Sequence, residues 1–171
     1  MSDDSLLTHT DERGICRVTL NRPDKHNAFN DALVVALLDQ FTRLAEAPEV
    51  RAIILTGEGP SFSAGGDLSW MQSAAQYGYD DNLRDAERLS NMLHAVNTCP
   101  KPVLGLINGT AMGGGVGLVA CCDIAIGVRQ ARFALSEVRL GLTPATISPY
   151  VVAKIGQSAA RRLFLTAERF A

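Results

Sequence analysis

Glu137 stands in the run Phe133-Ala-Leu-Ser-Glu-Val-Arg-Leu-Gly-Leu142, an acid among apolar neighbours. Apolar surroundings disfavour a charged carboxylate and bring its pKa closer to neutrality, where the group can both take and give a proton. The same residue also reads as an exposed edge acid or as a partner for Arg139, which would contribute little. Two glycine-rich loops offer complementary chemistry: Ser63-Ala-Gly-Gly-Asp67 and Asn108-Gly-Thr-Ala-Met-Gly-Gly-Gly-Val-Gly117. Each leads from a strand-like stretch into a helix-like one. Glycine lets a backbone come close to a ligand, and the first amides of a helix have no acceptor within it, so such junctions can donate to a negative oxygen. Two donors that converge make an oxyanion hole, whereas one such loop alone is more often a tight turn.

The second loop has a rival reading. Gly115-Val-Gly-Leu-Val-Ala120 matches a variant dinucleotide fingerprint, with Glu137 about twenty residues on. In a dinucleotide fold the first glycine follows its strand directly and the acid ends the next strand. Here Ile107 and Gly115 are separated by a long loop, and the next strand ends near Val128, well before Glu137. A Walker loop fails because no Gly-Lys-Ser/Thr follows.

Other polar residues read more plainly. Asp67 is placed to cap a helix, and Asp123, between Cys122 and Ile124, suits a buried hydrogen-bonding role. His9, His26 and His94 lie far apart with no metal spacing, and no Ser-His-Asp signature recruits them. Cys16, Cys99, Cys121 and Cys122 form no CxxC pair, so they read as packing residues in a reducing compartment rather than as a zinc site or a disulfide framework. No metal ligand set is expected.

The elements that must position these groups follow from periodicity. Gly14 to Leu20 alternates, with Cys16, Val18 and Leu20 on one side, which predicts a strand. Asn21-Arg-Pro-Asp turns the chain, and Asn30 or Asp31 can cap a helix carrying Leu33, Val34, Leu37, Leu38, Phe41 and Leu44 on one face, ending near Pro48. A strand over Arg51 to Thr56, an extended loop from Gly57 to Gly66 and a helix from near Asp67 come next. Asp81 to Asn97 predicts a helix with Leu83, Ala86, Leu89, Leu93 and Val96 on one stripe. Pro102 to Ile107 and Asp123 to Val128 read as strands with a short helix between them. Ser148-Pro149 makes a cap and first turn, Gly156 a stop, and Ser158 a cap for a last helix. Strands alternating with helices argue for an α/β class.

A chain of 171 residues with 47% hydrophobic residues can bury one core, so a single domain over residues 1–171 is expected. Sixteen basic residues against 18 acidic ones give a net charge of −2, which provides no field for a nucleic acid or an anionic membrane. The N-terminal run lacks a signal-peptide pattern and no segment has the length of a membrane span, which reads as a cytoplasmic protein. The sequence stops directly after Thr-Ala-Glu-Arg-Phe-Ala with no terminal cap, and reads as part of a longer chain.

Five ordered segments resemble the enoyl-CoA hydratase/isomerase, or crotonase, family: Asn21-Arg-Pro-Asp-Lys-His-Asn-Ala-Phe, Phe62-Ser-Ala-Gly-Gly-Asp-Leu, Lys101-Pro-Val-Leu-Gly-Leu-Ile-Asn-Gly, Gly113-Gly-Gly through Cys122-Asp-Ile, and Ser136-Glu-Val-Arg-Leu-Gly-Leu. The resemblance implies a spiral of ββα turns, here without the family's C-terminal helical part, and a trimer or dimer of trimers. It implies oxyanion donors at the backbone amides of Gly66 and Gly114, with Glu137 as the retained acid. Contacts to an acyl-coenzyme A substrate would fall at Lys25, His26, Ala28, Ala64, Gly66, Asp67, Leu68, Gly114 and Gly117, with no separate cofactor.

The sequence departs from the best-known hydratases at Gly117, where they carry a second Glu. That leaves hydration, double-bond isomerisation with one acid, or a non-catalytic acyl-CoA- or RNA-binding relative as alternatives. The run from Ser136 to Tyr150, together with Gly115-Val-Gly-Leu-Val-Ala-Cys-Cys-Asp123, resembles bacterial hydratases of branched glutaconyl-CoA esters, in leucine and acyclic terpene breakdown. It implies water addition to a 3-methylglutaconyl-CoA type of ester. Such a substrate carries a second carboxylate, for which Arg84, Arg88 and Arg139 are candidate partners or else solvated surface residues.

Overall fold

The computed structural model describes residues 4–171. Strand β1 (Leu6–Thr10) pairs antiparallel with β2 (Ile15–Leu20), and β2 runs parallel to β3 (Ala52–Gly57). With β5 (Val103–Ile107) and β7 (Ile124–Gly127) they form a five-stranded sheet ordered β1-β2-β3-β5-β7. A second, parallel sheet holds β4 (Ser61–Ser63), β6 (Thr110–Met112) and β8 (Phe133–Ala134).

The helices are α1 (Asp31–Glu46), α2 (Leu68–Ala74), α3 (Tyr79–Asn97), α4 (Gly114–Cys121), α5 (Ser148–Ile155) and α6 (Gln157–Thr166). Their order makes the expected spiral. Strands β3 and β4 lead to α2 and α3, β5 and β6 lead to α4, and β7 and β8 lead through a short 3-10 turn (Glu137–Leu140) to α5. In each turn the first strand joins the large sheet and the second joins the small one. The first turn follows the same plan in reduced form: after β2, Phe29 makes a single parallel bridge to Gly66 before α1 begins.

Alternation in β2 buries Cys16, Val18 and Leu20 completely, and α1 adds Leu33, Val34, Leu37, Phe41 and Leu44 to the same core. Each such side chain contributes roughly 1.5–3 kcal/mol on leaving water. Of the two possible caps, Asn30 is the one used: its side chain accepts a hydrogen bond from the Leu33 amide at 3.0 Å. At the other end, Lys101 Nζ donates to the carbonyl of Ala47.

Several expectations need correction. The expected loop from Gly57 to Gly66 contains β4, and β6 and β8 were also absent from the sequence reading, since strands of two or three residues are too short to show a period. In β1 four of five residues are exposed, so alternation carries no signal there. Helix α3 buries only Met92, Leu93 and Val96, while Leu83 at its N-terminal end is 44% exposed. Ser148 is the first residue of α5 rather than its cap, and Ser158 lies inside α6, which follows directly on Gly156. All four cysteines are free. No helix among the described residues is long and apolar enough to cross a membrane.

Candidate functional site

The first glycine-rich loop is pinned against the segment before α1. Asn27 is fully buried in a left-handed conformation (φ 54°); its Oδ1 accepts from the Arg22 amide at 2.8 Å. Its Nδ2 donates to the carbonyls of Glu58 at 2.9 Å and Ser61 at 2.8 Å. Ser63 Oγ donates to the Asn27 carbonyl at 2.9 Å and accepts from the Gly65 amide at 3.3 Å. The Ala64 amide donates to the His26 carbonyl at 2.9 Å, and the Asp67 amide to the Phe29 carbonyl at 2.8 Å. Of the four successive amides from Ala64 to Asp67, three are thus consumed, one within the loop and two by the segment before α1. Among the described residues the Gly66 amide has no acceptor.

Its direction is fixed as well. The Phe29 amide donates to the Gly65 carbonyl at 2.6 Å, and no peptide bond here is cis. In a trans peptide the carbonyl and the amide of the next residue point opposite ways. The Gly66 N–H therefore points away from Phe29.

The second donor is built by a helix start. Gly113 (φ 48°, ψ −119°) occupies a conformation that side chains rarely adopt, and its carbonyl accepts from the amides of Val116 at 2.9 Å and Gly117 at 3.2 Å. The amide of Gly114, the first residue of α4, has no acceptor inside the helix and points away from the helix body. The two loops touch: a Cβ placed on Gly65 would lie 3.3 Å from the Gly114 nitrogen and 2.7 Å from the Met112 carbonyl oxygen. Only glycine at position 65 allows that approach.

Glu137 opens the 3-10 turn after β8, and its carboxyl sits over the second loop. Its Oε1 lies 3.1 Å from where a Cβ on Gly113 would be. Its Oε2 is buried and has no hydrogen-bond partner among the described residues. Burial holds its pKa above the ordinary value of 4.5, opposed only by a hydrogen bond from its own backbone.

Asp67 is the opposite kind of acid. Its Oδ1 accepts from Ser69 Oγ at 2.7 Å and the Ser69 amide at 3.0 Å, capping α2, and its Oδ2 pairs with Arg22 Nη2 at 3.0 Å. The Ser69 hydrogen bond, then Arg22, lower its pKa to about 2. It stays charged and engaged, which suits a scaffold.

These groups share a cavity of about 680 Å³. Of the expected positions, Lys25, His26, Ala28, Ala64, Gly66, Asp67, Leu68, Gly114 and Glu137 all line it. Gly117 does not: it is buried in α4, and Ile147 Cγ2 lies 2.3 Å from where its Cβ would be. The expectation of a contact there is corrected, because Ile147 stands over that face of the helix.

The three arginines are also outside the cavity. Arg84 pairs with Asp81, Arg88 with Asp31 at 2.6 Å and Asp85 at 3.8 Å, and Arg139 donates to the Ala167 carbonyl at 3.1 Å. Asp123 accepts from the Val103 amide at 2.8 Å, as a hydrogen-bonding residue should, though it is exposed rather than buried.

Sequence reasoning missed Gly65, Gly113 and Arg22. Three glycines in a row and two in a row signalled close approach, but not which one makes it. Arg22, next to Pro23 in a turn, gave no sign that its guanidinium reaches residues 28 and 67.

Comparison with known proteins identifies the family. The family model described as Enoyl-CoA hydratase/isomerase matches residues 10–171. An enoyl-CoA hydratase of Alternaria alternata is 39% identical over 158 residues, 92% of this chain and 51% of that protein. A mitochondrial Delta(3,5)-Delta(2,4)-dienoyl-CoA isomerase of Mus musculus is 35% identical over 147 residues, 81% of this chain and 45% of its own length. The crystal structure of an enoyl-CoA hydratase from Shewanella pealeana superposes with a TM-score of 0.94 at 42% identity, over 97% of this chain and 62% of that one. The chain thus spans about half to two thirds of the length of these relatives.

Proposed function

The chain belongs to the enoyl-CoA hydratase/isomerase family, and from that premise we propose that its cavity binds an enoyl-CoA thioester and adds water across the double bond. The observation that carries this reading is the meeting of two unused backbone amides, Gly66 and Gly114, beside the buried, unpartnered Glu137 oxygen.

The thioester oxygen takes both amides as donors, so the charge that develops on it when the β carbon is attacked is met by dipoles already in place. The enolate that forms collects its proton at the α carbon from the Glu137 carboxyl. The incoming water, now bonded at the β carbon, returns a proton to Glu137, and the acid ends as it began. Removing one such donor typically costs on the order of 10²–10³ in rate. Lys25, on the segment before α1 that lines the cavity together with His26, supplies positive charge for the phosphates of the coenzyme A moiety.

For the acyl group, the resemblance of residues 136–150 to glutaconyl-CoA hydratases supports a branched ester of the 3-methylglutaconyl type. A second reading is favoured by one specific observation: Ile147 leaves no room for a side chain at Gly117, so a second acid is absent where the best-known hydratases carry one. Glu137 alone can move a proton from the α to the γ carbon, which is isomerisation of a 3-enoyl to a 2-enoyl ester.

Turnover in isotopically labelled water separates the two. Hydration places solvent oxygen in the product, whereas isomerisation exchanges protons only. Product without label would overturn the hydratase reading.

A further inference from the structure

Arg22 lies outside the cavity, yet its side chain is only 17% exposed and its guanidinium is doubly engaged. Its Nη1 donates to the Ala28 carbonyl and its Nη2 to Asp67. The Ala28 carbonyl belongs to the same peptide group as the Phe29 amide. That amide donates to the Gly65 carbonyl at 2.6 Å, and the Gly65 carbonyl belongs to the same peptide group as the Gly66 amide.

The result is a series of hydrogen bonds running guanidinium to peptide 28–29, to peptide 65–66, and out through the Gly66 N–H into the cavity. Each trans peptide carries the direction on, since its carbonyl and amide are antiparallel. Each carbonyl that accepts a strong bond makes the amide on its far side a better donor, so bonds in series reinforce one another. A bond from a charged donor at the head of the series is about twice as strong as one between neutral groups.

We propose that Arg22 is a positioning residue for the oxyanion donor at Gly66, which it aims and polarises through the two intervening peptides. The inference rests on the reading that the thioester oxygen sits at Gly66 and Gly114. Asp67 completes the device. Its carboxylate holds the second arm of the fork, while its own amide donates to the Phe29 carbonyl at 2.8 Å, so the two chain segments on either side of Gly66 are closed into one ring. The donor at Gly114 is served differently, by the helix amides of Val116 and Gly117 on the Gly113 carbonyl. One donor is backed by a cation and the other by a helix.

The test is made in the complete protein with Arg22→Gln, Arg22→Lys and Asp67→Asn. Five quantities are read: thermal unfolding, coenzyme A affinity, kcat and KM for crotonyl-CoA, and the isotope-edited infrared band of the thioester carbonyl in bound acyl-CoA. A polarised carbonyl absorbs at lower frequency than the free ester. Arg22→Gln should return that band toward its free position and lower kcat about tenfold, a fraction of the loss expected when a donor is deleted. KM and coenzyme A affinity should change by less than about twofold, a split that simple loss of structure does not produce.

Arg22→Lys, which keeps a cation within reach of the Ala28 carbonyl, should fall between the two. If Arg22→Gln does not fold, Asp67→Asn carries the test, because Asn still caps α2 while the guanidinium loses its ionic anchor. A folded Arg22→Gln, or failing it Asp67→Asn, with the wild-type band and wild-type kcat would overturn the inference while leaving the oxyanion site intact. A wild-type band at the free frequency would instead overturn the site reading, and the inference with it.

Discussion

Ile147 Cγ2 lies 2.3 Å from the point where a Cβ on Gly117 would stand, closer than any real pair of such atoms approaches. The absence of a second acid at position 117 is therefore built into the packing of α5 on α4, since Ile147 is 2% exposed and belongs to the core. Gly117→Glu alone should cost stability, about 1–3 kcal/mol from overpacking with more from a buried charge, and should not raise hydration. Paired with Ile147→Ala the same Glu gains room, and this double variant should be the more stable of the two. Thermal unfolding checks the order; a Gly117→Glu protein as stable as wild type would mean that Ile147 does not close this face.

Glu137 makes a prediction in two parts. Glu137→Gln keeps the shape of the side chain over Gly113 and removes the proton chemistry, so kcat should fall at least about a hundredfold while coenzyme A affinity holds. Stability should move the other way. Burial raises the folded-state pKa above the ordinary 4.5, so the folded state holds its proton more tightly than the unfolded one. The stability this contributes is fully present below pH 4.5 and is lost as the pH rises from there through the folded value. Relative to Glu137→Gln, wild type should thus lose melting temperature across that window and be no more stable at pH 7. A variant that kept a tenth of kcat, or melted lower than wild type at pH 7, would remove Glu137 from the role given to it.

Gly114 and Phe29 are coupled, which sharpens the prediction for the second donor. A Cβ on Gly114 would meet Phe29 Cε2 at 3.0 Å and Cδ2 at 3.2 Å. Phe29 is 1% exposed and its amide holds the Gly65 carbonyl, so pressure on the ring is passed to the first donor as well. Gly114→Val should therefore disturb both oxyanion amides and lower kcat by more than the 10²–10³ that loss of one donor typically costs. Gly78, where an added Cβ meets nothing within 4 Å, serves as the control, and Gly78→Ala should leave kcat unchanged. Normal turnover by Gly114→Val would place the thioester carbonyl elsewhere.

What could be read from sequence divides along physical lines. The cores of β2 and α1 were legible because burial imposes a period of two on Cys16, Val18 and Leu20 and of 3.6 on Leu33 through Leu44. The small sheet was not, because β4, β6 and β8 hold only two or three residues each, and their pairing is set by the loops around them. Residue types at the site were legible for the same reason that they were needed there: glycines at 66 and 114, and an acid among apolar neighbours at 137. The link between Arg22 and Gly66 was not, since it passes through backbone groups that every residue carries. The arginines on α3 show the converse: of the two readings open for them, the surface one holds, because a suitable residue type near the right region is satisfied by Asp31, Asp81 and Asp85.

The substrate prediction turns on where positive charge meets the cavity. An acyl carboxylate taken out of water needs a cationic partner, and an arginine fork is the usual one. Arg84 and Arg88 are paired with acids outside the cavity, and Arg139 donates to the Ala167 carbonyl, so Arg84→Ala and Arg88→Ala should leave substrate preference unchanged. Lys25 and His26 are the basic side chains that line the cavity, whereas Leu140 and Leu142 lie on the Glu137 side. With 3-methylglutaconyl-CoA as substrate, kcat/KM should exceed that for crotonyl-CoA, which lacks both the branch and the carboxylate, and Lys25→Met, which removes charge from the coenzyme A side, should weaken both esters equally. A Lys25→Met that narrows the difference between the esters would place the lysine at the acyl carboxylate instead. A kcat/KM that favours crotonyl-CoA would exclude the glutaconyl class and leave an unbranched, uncharged acyl group against the leucines.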